Sequence, residues 1–463
     1  MTWLSFAGPV VGGPFGPYRQ SERGPIYHRH IQTLLQSRKA YRCFCSPERL
    51  DELNRRRHEK GLGLGYDRKC ADIRPEEAEE RAHQGEDHVI RFRAPKEWPR
   101  YNDLVYGKTG HGTDKVKKLL VDEPVYEDTI LIKSDGFPTY HWANVCDDHE
   151  MRITHVVRGS EWMASTPLHV ALYSAMAWTP PWYAHVPLLV DHNRQKLSKR
   201  NFDSDISSFR KAGIFPEALV NFAALLGWSH QQKNDVLSLP ELEGLFDLKI
   251  TKGNTIVSFD KLRYLQERHA RRKVLAGGEG FEQMIRDVAV ALLEKYGAAT
   301  VSSFLGQRRL RDVMATMLQA SSLAYRSPTD FVDQCGIFLN RPSRSPLDVA
   351  DTALLQPLRI AAATLCLVPE ESWTKEVHHA NLKDLSSLAP GGDVKQWKKE
   401  FYHYLRWALL GGAAGPSLPE TMDILGREAC VQRIQTAAQE TTDVRTMAPR
   451  SGVLKAVGVA ADI

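Results

Sequence analysis

Between residues 153 and 200 the chain changes its hydrophobic period from two to a helical spacing and back again, and few topologies accept that order. Ile153 to Val157 is β-branched and predicts a strand. Ser165, Thr166 and Pro167 supply cap and first-turn chemistry ahead of an apolar helix over Leu168 to Trp178, and Tyr183 to Val190 predicts a second strand. Strand, crossover helix and strand make the βαβ unit of a parallel, doubly wound sheet, whose ligands sit at the carboxyl ends of the strands. Arg158 and Asp191 fall at those ends. The short polar segment Lys196-Leu197-Ser198-Lys199-Arg200 follows, where a polyphosphate would lie. Lysines on a loop can close on charge developing at a leaving pyrophosphate; a solvated basic loop is the plainer reading of the same cations.

The rest of the 463 residues sets the frame. With 42% hydrophobic and 25% charged residues the composition is that of folded soluble domains, and a disordered chain is excluded. No stretch approaches the roughly 18 consecutive apolar residues of a membrane helix; Ala218 to Trp228 and Leu358 to Val368 are short and interrupted by Asn221 and Arg359. The net charge of +5 does not by itself indicate a nucleic-acid partner. Seven scattered cysteines point to a reducing compartment, and Met1 to Gly16 has neither the layout of a secretory signal nor that of an organellar presequence. The Gly/Pro-dense opening reads as a loop and Ile26 to Arg38 as a helix. Cys43 to Tyr140 reads as an inserted α/β module, with helices at Pro47 to Lys60 and Pro75 to His83 and strands at Asp87 to Phe92 and Asp128 to Lys133. Tyr140 to Asp148 can be helical, and beyond residue 210 the pattern is almost wholly helical, with Gly-rich breaks at Gly277 to Gly280 and Gly411 to Pro416.

Lys-Leu-Ser-Lys-Arg resembles the signature loop of class I aminoacyl-tRNA synthetases. The longer runs Lys133 to Val145, Val157-Arg158-Gly159-Ser160-Glu161-Trp162 and Ser165-Thr166-Pro167 resemble the glutamyl-tRNA synthetase family more specifically, as do Gly16 to Arg23 and Leu425-Gly426-Arg427-Glu428. The likeness spans almost the whole chain and points to the bacterial and organellar branch. It implies an α/β plus all-α fold: an incomplete class I Rossmann-type nucleotide-binding domain with an inserted acceptor-binding module, then helical stem-contact and anticodon-binding parts. The implied domains are 1–40 and 140–200 for the two Rossmann halves, 41–139 for the acceptor-stem module, 201–276 for stem contact and 277–463 for the anticodon domain.

The resemblance also implies roles. Lys199 and Lys196 would carry the chemistry, with Glu161, Lys196, Leu197, Ser198, Lys199 and Arg200 at ATP. Arg158 would pair with the side-chain carboxylate of L-glutamate, a match for a bidentate guanidinium fork. The segment Tyr140, His141, Trp142, Ala143 and Asn144 would line the same pocket; Tyr140 and Asn144 lie four apart on one helical face. The reaction implied is glutamate activation by ATP with Mg²⁺, then transfer to glutamate tRNA, by a monomer acting in the mitochondrial matrix or, alternatively, a bacterial cytoplasm, with no membrane partner. Cys43, Cys45, Cys70 and Asp72 look like a split zinc site, or else ordinary reduced cysteines; some bacterial members of the family carry zinc in this region. Asp147, Asp148 and His149 diverge as neighbours on a helix and read as a solvated helix end.

Arg55 to Arg57, Arg271 to Lys273 and Lys395, Lys398 and Lys399 are candidate tRNA contacts or, equally, solvated helix faces. Trp397, Phe401, Tyr404 and Ala408 share one side of their helix and read as core. The family's opening strand with its His-Ile-Gly-His-type signature has no counterpart in these 463 residues. A half-sheet lacking that strand is expected to expose a strand edge and apolar surface. The second reading is a catalytically incompetent, truncated synthetase that only binds tRNA.

Overall fold

A computed structural model of the chain describes residues 8–61, 65–110, 126–197, 205–320, 322–344, 347, 352–390 and 392–441. The chain divides into two units, the first comprising Met1–Ser198, Ala224–Gln231 and Gly244–Val257, the second Lys199–Ala223, Gln232–Glu243 and Ser258–Ile463.

In the first unit, strands β1 (Ala40–Cys43), β2 (Val89–Phe92) and β5 (Ile130–Ile132) form an antiparallel sheet in the order β1-β2-β5. The second sheet has the order β4-β3-β7-β6, built from β3 (Tyr101–Asp103), β4 (Gly107–Thr109), β6 (His155–Gly159) and β7 (Trp182–Val186). β3, β7 and β6 run parallel, and β4 is an antiparallel edge. The βαβ unit is therefore present, with α5 (Thr166–Ala175) between β6 and β7. Two parts of the sequence reading change. The expected strand over residues 183–190 breaks at Pro187, whose missing N–H cannot serve a ladder. Leu189–Val190 (β8) pairs instead with Thr255–Ile256 (β9). Tyr101–Asp103, read as part of the inserted module, lies in the sheet beside β7.

Helices α2 (Pro47–Glu59) and α3 (Pro75–His83) lie between β1 and β2 in sequence, and three further helices pack against β1, β2 and β5 in one core. Helix α1 (Gly24–Gln36) buries Tyr27, Ile31 and Leu34 at four- and three-residue spacing. They meet Trp142, Val145 and Cys146 of α4 (Tyr140–Glu150) and Leu172 of α5. Buried Arg23 ties the opening loop down, donating to Asp147 at 2.6 Å and to the carbonyls of Phe15 and Pro17.

The second unit is helical. Trp397, Phe401, Tyr404 and Ala408 of the helix Val394–Leu410 are buried, as the one-sided pattern predicts. Gly411, at φ +67°, terminates that helix in the left-handed conformation. Ser417 and Glu420 form a capping box at the start of Leu418–Glu440. The helices Phe259–Ala276, Pro328–Leu339 and Lys375–Ser387 were not expected from periodicity. Gly278–Leu305 is long and apolar enough to cross a bilayer, but it turns Phe281, Met284, Ile285, Val288 and Leu292 into the core and breaks at Gly297.

Among the described residues β6 has no neighbour on its outer edge, and Val157 on it is 60% exposed. An open apolar edge templates association, and a lysine there blunts it. V157K is expected to reduce light scattering during heating while changing stability by no more than ~0.5 kcal/mol. Unchanged scattering would show that this edge does not drive aggregation.

Candidate active site

A tight turn sets up the first wall of the site. After β5, Asp135 Oδ1 accepts from the Phe137 N–H, and Gly136 takes φ +80°, a left-handed conformation that glycine enters without a Cβ penalty. The chain then reverses so that Thr139 N–H reaches the Leu131 carbonyl, and α4 starts at Tyr140. Helix periodicity divides the predicted segment. Tyr140 is 46% exposed and lies against Trp162, the rings tilted by 32° with centroids 4.5 Å apart, and Asn144 lies one turn on. Trp142 and Ala143 face the other way into the core, where Trp142 Nε1 donates to the Tyr27 carbonyl. They pack the helix and do not line the site, a correction to the segment-wide expectation.

Arg158, at the carboxyl end of β6, is the hub. Its Nε donates to His185 Nε2 at 3.2 Å, one terminal nitrogen to His169 Nδ1 at 3.3 Å and the other to Thr166 Oγ1 at 2.8 Å. Its guanidinium also lies 5.2 Å from the Tyr183 ring centroid. Thr166 spends its own hydroxyl proton on the Trp162 carbonyl, so its oxygen is free to accept. A guanidinium carries five N–H groups, and these three bonds leave one on each terminal nitrogen, the complement of two carboxylate oxygens. None of the three partners is anionic, so the positive charge has no hydrogen-bonded counter-ion among the described residues.

The histidines around it are held neutral. Burial, then the Arg158 charge, pushes His169 down to about 3; burial lowers His141 and His185 as well. His169 Nε2 lies 3.0 Å from His141 Nδ1. His141 also lines a cleft of about 150 Å³ with Trp98, Glu127, Thr129 and Ser165. On the far side, His185 Nδ1 meets Asp103 Oδ2 at 2.7 Å, both side chains fully buried. Nothing in the sequence reading singled out Asp103 or His185.

Among the described residues four buried polar atoms on these elements have no hydrogen-bond partner: Asn144 Oδ1, Asp148 Oδ2 and the Tyr173 and Tyr183 hydroxyls. Burial raises Asp148 to about 6, against the pull of Arg158. The reading of residues 147–149 as a solvated helix end therefore fails at Asp148. Asp147 turns to Arg23 and Tyr27, and His149 stacks on Trp178 at 3.8 Å.

Where the chain enters the 196–200 segment, Glu161 and Lys196 form a 3.0 Å ion pair, with the Lys196 side chain 63% exposed. Gly159 makes room for it, since a Cβ there would fall 2.0 Å from Glu161 Oε2. Leu197 N–H bonds the Leu189 carbonyl. Ser198, Lys199 and Arg200 lie outside the described residues.

Beside the end of β1 three cysteines converge. The sulfur atoms of Cys43, Cys45 and Cys70 lie within 4.8 Å of one another. The Tyr66 hydroxyl sits 3.2 Å from Cys43 Sγ and 3.4 Å from Cys45 Sγ, and Cys70 N–H donates to it. A hydrogen bond from Cys70 holds the Cys43 thiol far below its ordinary range. Asp72, expected as the fourth member, is 94% exposed and points to Arg93 instead. The phenol occupies the place assigned to the carboxylate.

Of the basic clusters, Arg56 pairs with Glu52, Arg271 with the Gln319 carbonyl, Arg272 with the Val236 carbonyl and Lys273 with Glu217. Lys395, Lys398 and Lys399 are exposed on the helix face opposite the buried aromatics.

Residues 1–264 match the family described as tRNA synthetases class I (E and Q), catalytic domain, and residues 293–438 match the anticodon binding domain. The mitochondrial glutamate–tRNA ligase of Saccharomyces cerevisiae is 34% identical over 445 residues, covering 91% of this chain and 78% of that one. The glutamate–tRNA ligase of Alkaliphilus metalliredigens is 35% identical over 434 residues, covering 91% and 82%. The crystal structure of a glutamate tRNA ligase from Elizabethkingia meningosepticum in complex with its amino acid superposes with a TM-score of 0.69 at 27% identity, covering 94% of this chain and 86% of that one.

Proposed function

The chain belongs to the glutamate–tRNA ligase family of class I aminoacyl-tRNA synthetases, and on that premise we propose that Arg158 selects its amino acid while Glu161 and the 196–200 loop handle ATP. The observation that carries the reading is the half-buried hub itself: a guanidinium at a strand end, held by three neutral acceptors, with two N–H groups left over. The side-chain carboxylate of L-glutamate is both the missing counter-ion and the right fork. Tyr140 and Asn144 flank it on α4.

The amino acid's α-carboxylate then attacks the ATP α-phosphate, forming a mixed anhydride and releasing pyrophosphate. A terminal ribose hydroxyl of the tRNA next attacks the activated carbonyl, and AMP leaves. Positioning and charge compensation are the protein's share of such phosphoryl chemistry. Lys196, drawn from Glu161 toward phosphate, and Lys199 supply mobile positive charge as pyrophosphate departs. Mg²⁺, when bound, neutralises phosphate oxygens. The exposed Lys395, Lys398 and Lys399 serve as contacts to the tRNA backbone. We place the protein in the mitochondrial matrix or a bacterial cytoplasm, as for its relatives, acting as a monomer.

Cys43, Cys45, Cys70 and Tyr66 would hold zinc, whose chemistry here is a structural cross-link between the end of β1 and the 66–70 turn. Purified protein is expected to carry about one zinc per chain by elemental analysis. C45S should lose it and D72N should keep it. Metal-free wild type grown with zinc, or a zinc-free D72N, would remove this assignment.

The function is tested by incubating the purified chain with ATP, Mg²⁺, labelled L-glutamate and tRNA. Glutamyl-tRNA is the expected product. Binding of tRNA without any charging would replace this reading by that of a tRNA-binding protein.

A further inference from the structure

We infer that Asp103 and His185 are positioning residues for amino-acid recognition: Asp103 fixes the His185 tautomer so that the imidazole accepts from Arg158 and aims its guanidinium. This rests on the reading of Arg158 as the carboxylate-binding residue, and it extends the site to a strand 55 residues upstream in sequence.

The argument is one of donor and acceptor bookkeeping. Asp103 Oδ1 accepts the Val105 and Tyr106 N–H groups, while Oδ2 accepts from the His185 backbone at 3.2 Å and faces its Nδ1 at 2.7 Å. A carboxylate is acceptor only, so the proton of the His185 ring lies on Nδ1. Nε2 is then a bare lone pair with Arg158 Nε and the Thr166 hydroxyl both 3.2 Å away; the hydroxyl, given to the Trp162 carbonyl at 3.0 Å, leaves Nε2 to Arg158. The same logic runs outward. His169 Nδ1 accepts from Arg158, so its proton sits on Nε2 and is donated to His141 Nδ1. Arg158 is thus seated between two imidazoles of opposite tautomer. Only one of the two is fixed by a buried carboxylate. The pair also places a negative charge behind the guanidinium, one imidazole away, without using the N–H groups that the substrate needs.

Replacing Asp103 by Asn keeps the Oδ1 turn bonds but sets an N–H donor against His185 Nδ1. The ring proton must move to Nε2, where it opposes the Arg158 Nε–H. In His185→Gln the amide oxygen stands in for Nε2 as an acceptor whatever residue 103 is. The full chain is titrated with L-glutamate by calorimetry. D103N is expected to weaken binding roughly tenfold, equivalent to about 1.4 kcal/mol, H185Q by less, and D103N/H185Q to recover most of the D103N loss. A purely structural role for Asp103 predicts no such rescue. A folded D103N with wild-type affinity, or a double variant as weak as D103N, overturns the inference. If D103N does not fold, long-range ¹H–¹⁵N spectra of histidine-labelled wild type decide: the ring signals absent from H185Q should show an Nδ1–H tautomer, and an Nε2–H tautomer or an imidazolium refutes it. Wild type that binds no L-glutamate defeats the reading of Arg158, while those spectra still test the Asp103–His185 pair.

Discussion

R158Q should lose L-glutamate. The guanidinium contributes a full charge and a fork, and Gln restores neither. Removing one partner of a desolvated charge pair costs about 2–5 kcal/mol, which corresponds to a dissociation constant raised roughly thirtyfold to several thousandfold. Lysine at this position keeps the charge but offers a point donor, and should fall between the two. The fold should tolerate the change, because the groups that lose a donor are two imidazoles held neutral and a threonine oxygen already bonded through its proton. Calorimetric titration of the wild-type and variant chains with L-glutamate measures the effect, and L-glutamine serves as a control for the carboxylate. R158Q binding glutamate as tightly as wild type would remove Arg158 from the pocket.

That residue was legible in the sequence for a physical reason. The β-branched run and the Ser-Thr-Pro cap mark a strand, crossover and strand, and the topology then dictates where ligands approach. The partners that hold Arg158 were not legible. Asp103 sits in a strand of three residues, too short for any alternation to register, and meets His185 across 82 positions of chain. Tyr66 escaped because spacing rules for metal sites look to Cys, His and carboxylates, while a phenol four residues before Cys70 has no such signature. Phe259–Ala276, Pro328–Leu339 and Lys375–Ser387 were not read as separate helices, although the caps of the last two were present. Ser327-Pro328 with Asp330 opens one, and Thr374 accepts from Val377 at the start of the other. Both of these helices mix polar and apolar residues enough to blur the apolar period. The division of Tyr140 to Asn144 into a site face and a core face was available from helix geometry alone.

Asp148 shows what holding such a site costs the fold. Its Oδ2 is buried without a partner among the described residues, and it faces Arg158 of β6 and Tyr173 of α5, with Asp147 its acidic neighbour on α4. A carboxyl raised to about 6 in the folded chain binds protons that the unfolded chain has already released, so stability falls as pH rises from about 4 to about 6 and the whole penalty persists above that. At 1.36 kcal/mol per pH unit the penalty reaches at most about 3 kcal/mol. D148N, which never ionises, is therefore expected to be more stable than wild type at pH 8 by up to that amount, with the difference vanishing near pH 4. Urea unfolding at the two pH values measures it. Equal stability at pH 8, or a gain that persists at pH 4, would mean that Asp148 is not a buried, ionising liability. Should the gain appear together with weaker glutamate binding, the carboxylate acts as a counter-charge to Arg158, whose guanidinium in turn holds Asp148 lower than burial alone would. A stabilised D148N with unchanged binding would instead assign the penalty to the fold alone.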